Sequence, residues 1–207
     1  MRVMTVRVAL CVVAVVGLAG CTQTVIGVAA PDPAAAPRTV SSAVAAGPTT
    51  PPPLGAAFSD AQKRFTIAPP PGWKADTSGA QNTAVVFLDP TPTRSAQGDF
   101  SANINVLVVP SVAGLPATVV GARQELRGLT DYASDSDAAV SLADGTAAHL
   151  LGGTFTDKGS GMRLRNLQLF TVHGRSTTVV TGTAPAQGWS TYAPVFDASL
   201  RTLTVAT

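Results

Sequence analysis

Most of this chain is a succession of short alternating stretches interrupted by one helical spacing in the middle and another at the end. Lys63-Arg64-Phe65-Thr66-Ile67 alternates and predicts a first strand. Pro69-Pro70-Pro71-Gly72 stops it, because prolines lack the N–H a ladder needs and glycine accepts a positive-φ turn. Trp73 then returns the chain to the core as an aromatic anchor. Thr83 to Leu88 is an apolar run of strand length, broken by Asp89-Pro90-Thr91-Pro92. The polar stretch from Asp89 to about Phe100 is long for a hairpin connection, which makes it a candidate functional rim. Ala102, Ile104, Val106 and Val108 alternate with Asn103, Asn105, Leu107 and Val109 in a strand that ends at Pro110.

Leu115, Val119, Ala122, Leu126 and Leu129 recur at spacings of four and three, one face of a helix. Pro116 suits its first turn and Gly128 its end. Arg123, Glu125 and Arg127 fall off that stripe. Strand-like stretches follow: Tyr132–Leu142, Thr146–Phe155, Met162–His173 and Ser176–Gly182. The turns between them are Asp144-Gly145, Asp157–Gly161 and Gly174-Arg175. In Met162–His173 the apolar parity changes, from Met162 and Leu164 to Leu167 and Leu169, which predicts a β-bulge. Trp189, Tyr192, Phe196, Ser199 and Leu203 mark a final helix, with Pro194 confined to its first turn or two. Hairpins with two helices predict an α+β fold: an antiparallel sheet of about six to seven strands flanked by two main helices.

The N-terminus has a different pattern. Arg2 and Arg7 precede an apolar run, Val8–Leu18, too short for the roughly 20 residues of a membrane span but right for a signal peptide. Leu18-Ala19-Gly20-Cys21 follows and reads as a lipobox, so Cys21 is the expected site of lipidation. The expected organisation is a signal peptide over 1–20, a tether over 21–57 and a folded domain over 58–207. The tether holds Pro31, Pro33, Pro37, Pro48 and Pro51-Pro52-Pro53 among Ala, Thr and Ser. Few large apolar residues are available to offset the entropy of ordering it. Its reach is on the order of 30 Å coiled and 100 Å extended. Ser41-Ser42 and Thr49-Thr50 beside prolines resemble O-glycosylated stalks.

Composition narrows the function. From Ala57 onward eleven Lys and Arg face eleven Asp and Glu, so the domain is neutral and offers no footprint for nucleic acid. The cysteines are Cys11, inside the signal peptide, and Cys21, which leaves the mature chain without a disulfide. His149 and His173 lie on different predicted strands, without metal-ligand spacing. No G-x-S-x-G elbow, S-x-x-K, G-x-G-x-x-G or Walker A is present. An unrecognised hydrolase would have to use His149 or His173 as its base. Asp131, Asp135, Asp137 and Asp144 cluster in sequence, but only Asp135-x-Asp137 matches a calcium loop. Arg163 and Arg165 share a strand face, with His173 on the same parity. With Trp73 they form a candidate surface for an anionic ligand or a partner carboxylate.

The lipobox at Cys21, the Pro/Thr tether, Pro69-Pro70-Pro71-Gly72-Trp73 after a first strand, and Trp189-Ser-Thr-Tyr-Ala-Pro-Val-Phe in the last helix together resemble the LpqN/LpqT-type lipoproteins of mycobacteria and their relatives. The resemblance covers about Lys63 to Val205. It implies a PsbP-like fold and a non-enzymatic accessory role at the outer face of the cell membrane, in contact with envelope proteins or glycolipid-transport machinery. It implies no catalytic residues and no cofactor. The alternative is an apolar-ligand carrier with a cavity between the sheet and the Leu115–Leu129 helix.

Overall fold

The computed structural model describes residues 51–206. The predicted signal peptide, Cys21 and the tether as far as residue 50 lie outside the described residues. At the tether's expected end, Gly55 donates its N–H to Pro69 O at 2.7 Å. The strands are β1 (Phe58–Ser59), β2 (Phe65–Ile67), β3 (Lys74–Asp76), β4 (Val85–Leu88), β5 (Thr93–Ser95), β6 (Gly98–Phe100) and β7 (Asn103–Pro110). Helix α1 (Leu115–Arg127) follows, then β8 (Ala133–Ser141), β9 (Ala147–Thr156), β10 (Arg163–His173) and β11 (Ser176–Pro185). Helix α2 (Trp189–Arg201) and β12 (Thr204–Val205) close the chain. The expected α+β class holds. The expected strands are all present, and the Asp89–Phe100 stretch folds into its own hairpin, β5–β6.

Seven strands form one sheet in the order β3-β4-β7-β11-β10-β9-β8, every pair antiparallel. A smaller sheet, β1-β2-β12, joins the start of the domain to its end. The two helices cover opposite faces of the large sheet. Ile104, Val106, Leu167, Leu169 and Val180 face α2, whereas Leu107, Leu151, Phe170 and Val179 face α1. Central strands are therefore buried on both sides, with apolar residues at both parities. This corrects the bulge expected in β10. That strand pairs without a break from Arg163 to Thr171 with β9 and from Leu164 to His173 with β11. Its change of parity records two covered faces. The register shift lies on β8, between Ser134 and Ser136.

Helix α1 forms where the stripe predicts: Val119, Ala122 and Leu126 are buried, and Leu115 and Leu129 pack at the margins. Gly114 caps it and Pro116 sits in its first turn. Helix α2 continues through Pro194 in its second turn and buries Trp189, Phe196, Ser199 and Leu200. Ser199 Oγ donates to Ala68 O at 2.6 Å, and Ala68 N–H donates to Thr202 Oγ1 at 2.8 Å, which ties the end of α2 to the exit of β2. Midway along its length, at Phe196, α2 approaches the sheet closely at Gly182, where a Cβ would stand 2.7 Å from Phe196 Cγ. Phe196 is fully buried and packs against Trp73, Trp189 and Tyr192. Burying a ring of that size contributes about 1.5–3 kcal/mol.

Candidate functional site

Helix α1 rests on β7, β11, β10 and β9 through Leu107, Val179, Phe170 and Leu151. The edge strand β8 contributes nothing to that cluster. The geometry follows from sheet order: a single helix cannot cover all seven strands, and the uncovered margin falls at β8. A crevice therefore runs between α1 and the β8–β9 hairpin. Its larger section, about 650 Å³, is walled by Leu115, Pro116, Val119 and Val120 on one side and by Ala139, Val140 and Ala148 on the other. A smaller section of about 260 Å³ continues past Tyr132, Ser134 and Leu151. Arg123 lines both sections, and its ion pair with Asp137 bars the crevice between them.

The bar is a three-residue cluster drawn from three elements. Arg123 Nε donates to Asp137 Oδ2 and Arg123 Nη2 to Asp137 Oδ1, both at 2.7 Å. His149 Nε2 lies 2.7 Å from the same Oδ1. Asp137 and His149 face α1 because each pairs, within the β8–β9–β10 ladder, with a residue on that face: Asp137 with Leu151 and His149 with Phe170. The Arg123 guanidinium, and after it His149, hold the Asp137 carboxyl well below the ordinary carboxylate range. Asp137 in turn raises Arg123. No hydroxyl or thiol among the described residues hydrogen-bonds His149 or His173, so the nucleophile–base contact of a hydrolase is not formed there. The arrangement can hold an apolar segment along the crevice and present fixed charge at its midpoint.

Of the residues singled out in the sequence, Cys21 lies outside the described residues. Trp73 is half-buried, edge-on to Phe196 at 6.0 Å and to Tyr192 at 6.4 Å. Arg165 lies 4.7 Å over the Trp189 ring, with Nε 3.0 Å from Asp135 Oδ2. Arg163 is exposed but donates to Asp131 O, Thr156 Oγ1 and Thr154 Oγ1. The first two join one aromatic chain, Trp73–Phe196–Trp189–Arg165, on the α2 face. Both guanidiniums are engaged within the domain. The four clustered aspartates are likewise dispersed. Asp131 accepts from Thr156, Asp135 pairs with Arg165, Asp137 joins the bar, and Asp144 accepts the Thr146 N–H at 2.9 Å. Among the described residues no group of three metal-ligating side chains is assembled.

Sequence reasoning missed a buried polar band on the α1 face. Asn103 and Asn105 on β7, Thr181 and Thr183 on β11, and Asn166 and Gln168 on β10 are direct cross-strand neighbours. All six are at most 6% exposed. Both polar atoms of the Asn166 side chain, and the Oδ1 of Asn103 and of Asn105, meet no hydrogen-bond partner among the described residues. The Tyr132 ring lies over Gly153, the β9 neighbour of Asn166, with its hydroxyl donating to Gly152 O at 3.1 Å. The available signal was the pattern N-x-N, N-x-Q and T-x-T within otherwise apolar strands.

Solved structures share this fold. LpqN of Mycobacterium tuberculosis, involved in cell envelope biogenesis, is 13% identical with a TM-score of 0.54, and the match covers 73% of this chain and 90% of that one. The cyanobacterial PsbP (CyanoP) of Synechocystis sp. PCC 6803 is 15% identical with a TM-score of 0.51, over 79% of this chain and 98% of that one. PA94, a Pseudomonas aeruginosa protein of unknown function, is 16% identical with a TM-score of 0.50, over 75% and 99%. No protein-family model and no curated protein sequence matches the chain. The domain therefore has a PsbP-like fold, an α+β sheet with a helix on each face.

Proposed function

We propose that this chain is an exported lipoprotein, anchored through Cys21 to the outer face of the cell membrane, whose domain is a non-enzymatic binding module for envelope proteins or glycolipid transport. The observation that carries the binding role is the α1–β8 crevice: an open, largely apolar trough crossed by a charged bar. A fold shared with LpqN, a protein of cell envelope biogenesis, supports the location. Among the described residues no helix is long and apolar enough to cross a membrane.

The test is a pull-down from intact envelopes with wild type, Cys21→Ala and Val120→Glu. Val120 stands 53% exposed on the crevice wall, so its replacement alters the trough and leaves the core intact. Discrete partners with wild type, lost with both variants, are expected. The same background with all three would refute the reading.

A second reading, the apolar-ligand carrier, draws on the apolar walls of the same crevice. It differs in what is retained: native mass spectrometry of protein from its own host should then show bound lipid. Between α1 and the sheet the space is filled by Val119, Ala122, Leu126, Leu107 and Phe170, so a carried ligand would have to lie in the open crevice. That exposure favours a docking partner over a stored one.

A further inference from the structure

Two large apolar side chains stand in solvent among the described residues, Val112 at 89% exposure and Val120 at 53%. Val112 leads from β7 into α1, whereas Val120, in the second turn of α1, belongs to the crevice wall. Ser111 N–H donates to Arg175 O at 2.8 Å, which sets that loop against the β10–β11 turn. His173 and Arg175 in this turn are exposed, and neither side chain has a hydrogen bond or ion pair among the described residues. The N-terminus of α1 opens at the same end, with no side-chain cap and no acidic residue in its first turn, so its dipole adds to the positive character. Asp144, in the β8–β9 turn at this end of the sheet, is the opposing charge, with its carboxylate held by the Thr146 N–H.

An exposed apolar side chain beside a cation without a partner is the chemistry of contact with an anionic lipid surface. The apolar group enters the boundary between headgroups and acyl chains, and the cation meets phosphate. We propose that this end of the domain, formed by the β7–α1 loop, the N-terminus of α1 and the β10–β11 turn, docks on the membrane that carries the anchor. The proposal rests on the reading of Cys21 as lipidated. Val112 and Arg175 give marginal binding to a free protein, whereas an anchor keeps the domain at high effective concentration beside the surface. Residues 22–50 extend to about 100 Å, against about 36 Å for the length of β10, so the tether reaches far enough for docking in this orientation.

With Cys21 in thioether linkage the mature chain has no free thiol, so one introduced cysteine takes one environment-sensitive fluorophore. The label is placed at Val112→Cys or, at the opposite end of the sheet in the β9–β10 turn, at Lys158→Cys. Each full-length protein is placed on vesicles of phosphatidylcholine with or without phosphatidylglycerol. The label at 112 should shift to the blue and be quenched by brominated lipid, more strongly with phosphatidylglycerol, while the label at 158 stays in water. Arg175→Ala should reduce the docked-to-undocked ratio about five-fold. A label at 112 that stays in water on acylated protein overturns the docking and leaves the anchor standing. So does a label at 158 that enters lipid, or a shift at 112 that follows protein concentration without vesicles, as a second copy would give. Intact mass reads the anchor separately: if acyl chains are absent the anchor fails, and the label at 112 must still shift at saturating vesicle concentration for the docking to stand.

Discussion

Gly182→Ala tests the closest contact in the core. Gly182 pairs with Ile104 and Leu167 in the middle of the sheet, on the face that α2 covers. A Cβ there stands 2.7, 2.9 and 3.0 Å from Phe196 Cγ, Cδ1 and Cδ2. Carbon pairs rest at about 3.5–4.0 Å, so the ring must withdraw by roughly 0.8 Å. It has no room to do so alone: Trp189 lies 5.5 Å away, Tyr192 5.7 Å and Trp73 6.0 Å. Helix α2 must move with it. Overpacking of this kind costs about 1–3 kcal/mol. Removing a strand glycine returns about 0.5–1 kcal/mol through the unfolded chain. The net expectation is a loss of about 1–2 kcal/mol, or a fall in Tm of about 2–8 °C by circular dichroism. The control is Gly121→Ala in α1, where nothing lies within 4 Å of the added Cβ, and a gain of about 0.5–1 kcal/mol is expected. In a Phe196→Leu background Gly182→Ala should become neutral or stabilising. An unchanged Tm for Gly182→Ala in wild type, or additive effects of the pair, would refute the close approach of α2.

Asp60 is 6% exposed and receives Arg64 Nε at 2.7 Å and Nη2 at 3.0 Å. Arg64 holds its carboxyl below the ordinary aspartate value of 3.8, so the stabilisation is present above that value and fades as pH falls through the lower folded value. Asp60→Asn should therefore cost about 1–3 kcal/mol at neutral pH, with the difference from wild type closing in urea titrations as pH falls through the lowered folded value. Glu125 is shifted the other way, raised from 4.5 by burial. Its contribution is present below 4.5 and lost as pH rises through the folded value, so Glu125→Gln should raise Tm by about 1–2 °C at neutral pH and change nothing in acid. Asn166→Leu replaces a side chain that is 1% exposed and has neither polar atom paired. It should be neutral or stabilising by up to about 2 kcal/mol in denaturant melts, and a loss of that size would show that the amide is satisfied in solution.

The local elements were legible because local rules produce them. The Leu115–Leu129 stripe became α1, and Asp144-Gly145 and Gly174-Arg175 became turns with Gly145 and Gly174 at φ 83 and 57. The arrangement between elements was not legible. Leu164 and Phe170 on one face of β10 and Leu167 and Leu169 on the other reflect a helix on each side of the sheet, which no spacing within β10 encodes. Asn103, Asn105, Asn166 and Gln168 read as ordinary strand positions, and their burial depends on which helix covers which face. The crevice residues were harder still. Arg123 looked like a polar residue off a helical stripe, Asp137 like part of an acidic run and His149 like an isolated histidine. Sheet register and helix placement bring them together across 14 and 12 residues of chain. The candidate surface of Trp73, Arg163 and Arg165 was read from residue type and strand parity, which do not show the contacts each side chain makes within the domain.

The α1–β8 crevice is proposed as the surface through which this domain meets its partner. A photo-crosslinking residue at Val120, on the crevice wall, compared in living cells with one at Arg201 on the exposed end of α2, tests it most directly. The account predicts a discrete crosslinked species from position 120 that needs Cys21 and is absent from position 201. Crosslinks from position 201 alone, or none from either position beyond background, would contradict it.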